Sequence, residues 1–431
     1  MKYFGTDGIR GEINKDLNDK VINRVAKAIV LYYKVHKLKP VLLIGNDTRA
    51  SSGYILTKLG NVLLTNGIQI EDLGVCSSPC LAYTTQKFIY PLGLMLSASH
   101  NPAEYNGLKF FNSSGEKVSD EFEKEFETLM DKKVNLPNKT FATIKNVECL
   151  KEIYISHLKD FKRFNFPILL DCANGGTSEI CSAVFPNQEK INIRPTGTNI
   201  NLNAGCTHLE MLKALCIKKQ IIGFAFDGDG DRIHVVDKDG SIIAGDKILY
   251  ILSKFYQFSG DVCVGTIYTN LGLEKALNNR KITLQRSDVG DKNVYALMKK
   301  NNSILGGEDS GHIILSKHMN TGDGVLIAII LANIIELSGM SLKELLKDYT
   351  EHIQLRKNIK VTNKSIVNDI LNNVEIINLI KQFEELGTKI IIRPSGTEPV
   401  IRLFAEHKDI NTATKAINTV YQAILTMVNK E

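Results

Sequence analysis

Short apolar runs alternate along this chain with longer stretches of mixed polarity, and that alternation predicts its elements. The run Pro91-Leu92-Gly93-Leu94-Met95-Leu96 is apolar almost throughout and reads as a buried strand. Three further runs, Val41 to Asp47, Ile168 to Asn174 and Val262 to Thr266, each break into a polar turn. Each is followed by a stretch of helical character, such as Ser52 to Leu64. Strands alternating with helices imply parallel sheets built from βαβ units. Recurrence of the pattern at domain-sized spacing suggests three related α/β modules.

Other periodic stretches complete the outline. Glu152 to Lys162 has a helical pattern, and Val325 to Leu337 reads as a buried helix with Asp323 just ahead as its cap. That apolar stretch is interrupted by Asn333 and Glu336 and is too short to span a bilayer. Near the carboxyl end, Ile390-Ile391-Ile392, a turn, Val400 to Phe404 and an amphipathic stretch from Asn411 to Val428 predict a smaller α+β domain. The polar segment Lys132 to Lys145, which contains Pro137, marks a first boundary; Gly245-Asp246 and Arg356 to Lys360 mark two more. The expected division is 1–145, 146–246, 247–356 and 357–431.

Composition narrows the function classes. At 431 residues, 43% hydrophobic and 23% charged, the chain is an ordinary multidomain globular protein. A net charge of +6, from 53 basic and 47 acidic residues, suits a small anionic substrate but is no nucleic-acid signature. The chain has no tryptophan to stack on bases and no polybasic arm. Its eight cysteines, at 76, 80, 149, 172, 181, 206, 216 and 263, form no C-x-x-C pair, so reduced core thiols are expected. Met1 to Gly5 lacks the apolar core of a signal peptide, and the expected location is the cytoplasm.

Four clusters carry chemistry. Ser97-Ala98-Ser99-His100-Asn101-Pro102 follows the apolar run 91–96, so Ser99 sits where an interior strand emerges into a loop, with Lys109 close by in sequence. A serine there, beside an imidazole and an ammonium, is a candidate phosphoryl carrier. Asp227-Gly228-Asp229-Gly230-Asp231-Arg232 converges three carboxylates from one short loop, which suits a hard divalent cation, Mg²⁺ first. It is no EF-hand, because Arg232 and Lys238 stand where that loop needs glycine and glutamate. Arg232 supplies a fixed cation for a phosphate oxygen. Gly306 to His312 offers Glu308, Ser310 and His312, a set suited to sugar hydroxyls. Arg393-Pro394-Ser395-Gly396-Thr397-Glu398-Pro399, with Arg402 beyond, gathers two guanidiniums, two hydroxyls and a glycine backbone around a turn, as a bound phosphate monoester requires. Gly5 to Gly11 adds Arg10 on a glycine-flanked loop near the amino terminus.

Taken in order, the serine, aspartate, sugar and phosphate clusters resemble the four signature motifs of the α-D-phosphohexomutase superfamily, over essentially the whole chain. Phe4 to Gly11, Val289-Gly290-Asp291-Lys292 and Thr321-Gly322-Asp323-Gly324 are most similar to the bacterial phosphoglucosamine mutase family. The resemblance implies an α/β fold of four domains around a central cleft, the first three sharing a mixed-sheet core. It implies that Ser99 is phosphorylated, and that its phosphate with Asp227, Asp229 and Asp231 holds one Mg²⁺ per subunit. Glu308, Ser310 and His312 would contact the sugar; Arg393, Ser395, Gly396, Thr397 and Arg402 would grip the phosphate that is not reacting.

The implied reaction isomerises glucosamine 6-phosphate to glucosamine 1-phosphate through a bisphosphorylated intermediate, with hexosamine 1,6-bisphosphate as primer. Arg10 would help stabilise the transferring group. His100 and Lys109 are the candidates for proton transfer, and electrostatic support of the phosphate is the competing role for Lys109. Asp309 stands where the amino-sugar enzymes usually have glutamine and the phosphomannomutase/phosphoglucomutase enzymes often methionine; its carboxylate would suit the 2-ammonium group of glucosamine. A phosphomannomutase/phosphoglucomutase with the same mechanism, and a sensor that binds sugar phosphates without turnover, are the alternatives. The expected partners are small sugar phosphates, with no nucleic acid and no membrane, and the expected state is a monomer or homodimer.

Overall fold

Four sheets organise the chain, which the computed structural model describes at residues 2–136, 141–361, 366–394 and 400–428. Pro137, Ser395, Gly396 and Thr397 therefore lie outside the described residues. Strands β1 (Ile9–Glu12), β2 (Val41–Asn46), β3 (Gln69–Val75), β4 (Leu92–Leu96), β5 (Tyr105–Asn112) and β6 (Ile144–Asn146) form the first sheet in the order β1-β5-β4-β2-β3-β6. Its β2, β3, β4 and β6 run parallel, and β5 and β1 close one side antiparallel. All five residues of β4 are buried, as the run 91–96 predicts.

The second sheet orders β7 (Ile168–Asp171), β8 (Glu189–Ile191), β9 (Ile222–Phe226), β10 (Ile233–Val236) and β11 (Ile242–Ile243) as β11-β10-β9-β7-β8. The third orders β12 (Val262–Thr266), β13 (Thr283–Ser287), β14 (Leu305–Gly307) and β15 (Ile313–Leu315) as β13-β12-β14-β15. Both repeat the plan of the first, a parallel core with an antiparallel margin. Three sheets of one plan are the three related modules that the recurring runs suggest.

The fourth sheet is small and wholly antiparallel: β16 (Ile353–Lys360), β17 (Lys389–Pro394) and β18 (Val400–His407) in the order β16-β18-β17. The amphipathic helix Ile410–Val428 buries Ala413, Ala416, Ile417, Val420 and Ile424, and most of these join the core over this sheet. The strand β16 runs straight through residues 356 and 357. Arg356-Lys357-Asn358 is a polar run on a half-exposed edge, so the stretch reads as polar linker rather than strand.

By contacts the chain forms two compact units. One comprises Met1–Tyr268 and Lys281–Leu346 and contains the first three sheets; the other comprises Thr269–Arg280 and Lys347–Glu431. In the second unit the helix Leu271–Asn279 is tied to the sheet through Glu406, a fully buried carboxylate that accepts the Leu271 N–H at 2.5 Å.

The buried helix Gly324–Ser338 is capped as its sequence predicts, with Asp323 accepting the Leu326 N–H at 3.0 Å. Among the described residues no helix is long and apolar enough to cross a membrane. All eight cysteines are free thiols and seven are buried; Cys149 is exposed, contrary to a core role for that one.

Candidate active site

Three loops of the larger unit share one origin. Residues 97–104 connect β4 to β5, 227–232 connect β9 to β10, and 308–312 connect β14 to β15. Each leaves a strand of the parallel core and returns as its antiparallel neighbour. The carboxyl ends of such strands are where open α/β sheets place ligands. Direct contacts join the loops: Ser99 Oγ donates to Asp227 Oδ2 at 2.5 Å, and an isolated antiparallel bridge pairs Arg232 with His312.

Ser99 is buried and has φ +53°, the left-handed region that non-glycine residues rarely enter. His100 Nδ1 lies 3.4 Å from its hydroxyl. Burial, then the positive Arg232 and Arg10, push the His100 imidazole down to about 4, so it is neutral at physiological pH. Gly228 makes the junction possible, since a Cβ there would stand 2.7 Å from the Ser99 carbonyl oxygen and 2.8 Å from Asn201 Nδ2.

Asp227, Asp229 and Asp231 are all buried, and one oxygen of each lies within 4.8 Å of the others. Burial, then Asp231 and Asp229, push the Asp227 carboxyl up to about 8. Asp231 lies well below the usual carboxylate range: burial opposes its charge, but Lys109 and His312 outweigh it. Asp229 Oδ1 and Asp231 Oδ1 are buried with no hydrogen-bond partner among the described residues. Three clustered carboxylates with unpartnered oxygens fit a hard divalent cation.

Lys109, on β5 and buried, reaches Asp229 Oδ2 at 2.5 Å and Asp7 Oδ2 at 3.0 Å. Burial works against its charge, yet Asp229, Asp7 and Asp231 raise its pKa, so it stays an ammonium. Arg10 lies on β1 rather than on a loop, because Ile9 to Glu12 pair with Leu108 to Tyr105 in the sheet. Its guanidinium pairs with Asp7 and its Nε donates to the Asp7 carbonyl at 3.0 Å. Arg232 Nε is 4.0 Å from both Asp227 and Asp231, leaving this side chain only loosely engaged.

In the third loop Glu308 Oε1 accepts the Gly290 N–H at 3.0 Å, which joins the sugar loop to the turn before Asp291. Ser310 Oγ is buried with no partner among the described residues. His312 lies between Asp291 (Nε2 at 3.1 Å) and Asp231 (Nδ1 at 3.6 Å). Burial disfavours its charge, but those two carboxylates raise its pKa. Asp309 Oδ1 accepts the Asp246 N–H at 3.4 Å, in the first turn of the helix Gly245–Tyr256. A carboxylate at a helix amino terminus has a structural role of its own.

Two groups of residues here are not singled out by sequence. Lys117 bonds Asp7 at 2.7 Å and also pairs with Asp291, so that Asp7, Lys117, Asp291 and His312 form one charged chain beside the aspartates. Asp7 and Asp291 fall in noted glycine-containing motifs, but nothing in Ser-Ser-Gly-Glu-Lys marks Lys117. Asp47, Arg49 and Asn201 contact the serine loop, and only the turn-like Gly-Asn-Asp-Thr-Arg after β2 hinted at the first two.

In the smaller unit Arg393 and Arg402 stand directly opposite each other on β17 and β18, on one face of the hairpin. Ser395, Gly396 and Thr397, which follow β17 in sequence, lie outside the described residues.

Comparison with known proteins bears on this arrangement. Residues 1–136 match the family model "phosphoglucomutase/phosphomannomutase, alpha/beta/alpha domain I", 244–352 match domain III of that series, and 357–420 match its C-terminal domain. The phosphoglucosamine mutase of Bacillus cereus (strain G9842) is 38% identical over 446 aligned positions, covering 100% of each chain. A phosphoglucomutase/phosphomannomutase family protein from Burkholderia thailandensis superposes with a TM-score of 0.80 at 18% identity, covering 98% of this chain and 97% of its own. The N-acetylphosphoglucosamine mutase of Aspergillus fumigatus, solved with GlcNAc-6P and magnesium, superposes with a TM-score of 0.67 at 16% identity, covering 99% and 96%.

Proposed function

The chain belongs to the phosphoglucosamine mutase family of the phosphohexomutases, and we propose that it carries its phosphoryl group on Ser99. The family reaction interconverts glucosamine 6-phosphate and glucosamine 1-phosphate. The observation that carries the assignment is the Ser99 hydroxyl 2.5 Å from Asp227, inside a cluster of three buried aspartates. In the forward direction the bond from Ser99 Oγ to phosphorus breaks as the bond to the sugar O1 forms. The O1 proton leaves to a base, and Ser99 Oγ ends as a hydroxyl. The 6-phosphate of the bisphosphate then returns to Ser99 by the reverse chemistry, leaving glucosamine 1-phosphate. A hexosamine 1,6-bisphosphate primes unphosphorylated enzyme in the same way.

Asp227, Asp229 and Asp231 would hold Mg²⁺ together with the Ser99 phosphate, and when bound the cation supplies positive charge beside the transferring group. The magnesium and sugar phosphate of the Aspergillus relative support this reading. Lys109, already an ammonium among carboxylates, supports the phosphate electrostatically; a dianionic phosphoserine raises its pKa further. His100, neutral and near the hydroxyl, is the one of the two with a free lone pair for a proton. Arg10 and Arg232 add positive charge at the reacting group. Glu308, Ser310 and His312 contact the sugar, and Arg393 and Arg402, with Ser395, Gly396 and Thr397, grip the unreacting phosphate. The four segments bounded near 145, 246 and 356 are the division we propose. The buried free thiols support a reducing cytoplasm as its location.

The test compares kcat/KM for glucosamine, glucose and mannose 6-phosphates, with Mg²⁺ and matched bisphosphate primer, in wild type and Ser99→Ala. Preference for the amino sugar, with turnover abolished by Ser99→Ala, is the expected result. Appreciable turnover by Ser99→Ala rules out Ser99 as the carrier, and preference for glucose or mannose overturns the substrate assignment.

A further inference from the structure

The guanidinium of Arg49 uses all five of its N–H groups. Nε donates to Asp47 Oδ2 at 2.9 Å. One terminal nitrogen donates to the carbonyls of Ser99 (3.0 Å) and Asn101 (2.7 Å). The other donates to the carbonyls of Tyr105 (2.8 Å) and Pro102. A single buried side chain thus holds four carbonyls of the loop that carries Ser99 and of the strand start after it. Asp47 completes the arrangement. Its Oδ1 accepts the Arg49 N–H at 3.0 Å, and its Oδ2 accepts Ser97 Oγ at 2.6 Å. Ser97 Oγ in turn accepts the Ser99 N–H at 2.9 Å. Ser99 is therefore fixed from both sides of its Cα, its N–H through Ser97 and its carbonyl through Arg49, with Asn201 Nδ2 adding a second donor to that carbonyl at 2.8 Å.

The topology explains how this comes about. β2 and β4 are adjacent and parallel, with Asn46 opposite Leu96, so the loop after β2 and the serine loop emerge side by side. Both side chains of the Arg49–Asp47 pair are fully buried. Burying an ion pair is a poor route to stability, because desolvation offsets the attraction. What this pair supplies is a fork of fixed geometry on a loop whose serine has a left-handed backbone, φ +53°. The hydrogen bonds of both side chains go to each other and to residues 97–105, and neither residue lies among the groups assigned to substrate.

We propose that Arg49, acting with Asp47 and Ser97, is a positioning residue that holds Ser99 in line for phosphoryl transfer. The inference rests on Ser99 as the carrier. In the step concerned, a phosphorus–oxygen bond of hexosamine 1,6-bisphosphate breaks, a bond to Ser99 Oγ forms, and the serine proton goes to the sugar oxygen released. Misplacing a reacting atom by about 1 Å costs on the order of 100-fold in rate. Lysine cannot substitute, since its three donors radiate from one point and do not span the fork.

The test follows phosphorylation of unphosphorylated Ser99 by glucosamine 1,6-bisphosphate in a single turnover, for wild type, Arg49→Lys and Ser97→Ala. The rate constant of this reaction does not depend on the fraction of protein folded, whereas the amplitude does. Arg49→Lys is expected to lower the rate constant about 100-fold and steady-state kcat in parallel, with KM for glucosamine 6-phosphate within about threefold of wild type. Ser97→Ala is expected to lower the rate constant about tenfold, and the double variant to fall short of the product of the two, because they act in one network. A wild-type rate constant with reduced amplitude in Arg49→Lys, or a defect confined to KM, overturns the proposal. Should Arg49→Lys fail to fold, a wild-type rate constant in Ser97→Ala overturns it equally. Turnover surviving in Ser99→Ala would instead remove the carrier on which the inference rests.

Discussion

Buried ionisable groups are costly, and this chain concentrates them where the chemistry is. Removing a charge from water costs several kcal/mol even after relaxation, yet Asp227, Asp229, Asp231, Lys109 and His312 are all buried in one place. Their arrangement makes sense for binding a cation and a phosphate, not for holding a fold together. Asp323 shows the structural contrast. Buried at the head of the helix Gly324–Ser338, it accepts from Leu326 N–H and from the Tyr154 hydroxyl at 2.9 Å, and burial pushes its carboxyl up from 3.8 to about 6. Because the folded value is the higher, the folded state favours the protonated form. Its contribution is fully present below pH 3.8 and is lost as pH rises through about 6. The rise corresponds to roughly 3 kcal/mol. Asparagine caps as well as aspartate without titrating. Asp323→Asn is therefore expected to gain on wild type by roughly that amount between pH 4 and pH 8, as measured by denaturant unfolding at a series of pH values. Parallel stability profiles for the two proteins would contradict the assignment. The motif residues Ser99, Asp227 to Asp231 and Glu308 to His312 were legible in sequence because each cluster is contiguous. Arg49 and Lys117 were not, because their partners are separated from them by loops and strands that only the fold brings together.

The recurring element of the larger unit is a parallel strand, a short loop and an antiparallel return. Its use three times explains why the site needs no long insertion: one kind of connection, at the carboxyl end of a buried strand, presents the serine, the aspartates and the sugar loop in turn. The loops must then approach closely, and Gly228 is a point where they do. Gly228→Ala would put a methyl group at 2.7 Å from the Ser99 carbonyl oxygen, where neither backbone can easily give way. The expected cost is about 1–3 kcal/mol of stability and about 10- to 100-fold in kcat through displacement of Ser99. Thermal unfolding and steady-state turnover check both; wild-type kcat in Gly228→Ala would show that the loops adjust freely. The apolar runs announced β2, β4, β7 and β12, since strands buried on their faces leave an unbroken hydrophobic signal. Strands on exposed edges did not announce themselves. β16 carries Gln354, Arg356, Lys357 and Asn358 in its middle, and β6 is exposed along all three of its positions.

At the scale of the whole molecule, chemistry is distributed by sheet. Under the proposed assignment the first supplies the serine, Lys109 and Arg10, the second the aspartates and Arg232, and the third Glu308, Ser310 and His312, while Arg393 and Arg402 lie opposite each other on the fourth. Within the larger unit Ser99 and the aspartate it contacts come from different sheets, so that pairing exists only where those two modules meet. Asp309 engages the helix Gly245–Tyr256, so the proposed sugar preference does not rest on that residue alone. Discrimination by one contact is commonly worth only about 1–3 kcal/mol. The central claim is narrower: one serine carries the phosphoryl group beside an acidic cation site. The most direct measurement incubates the unphosphorylated protein with glucosamine 1,6-bisphosphate labelled with ³²P, with Mg²⁺ and with EDTA, and maps the label by peptide mass. The account predicts one labelled site, Ser99, formed with Mg²⁺ and absent with EDTA, and chased into glucosamine phosphate when unlabelled substrate is added. Label on another residue, or turnover without any labelled serine, would contradict it.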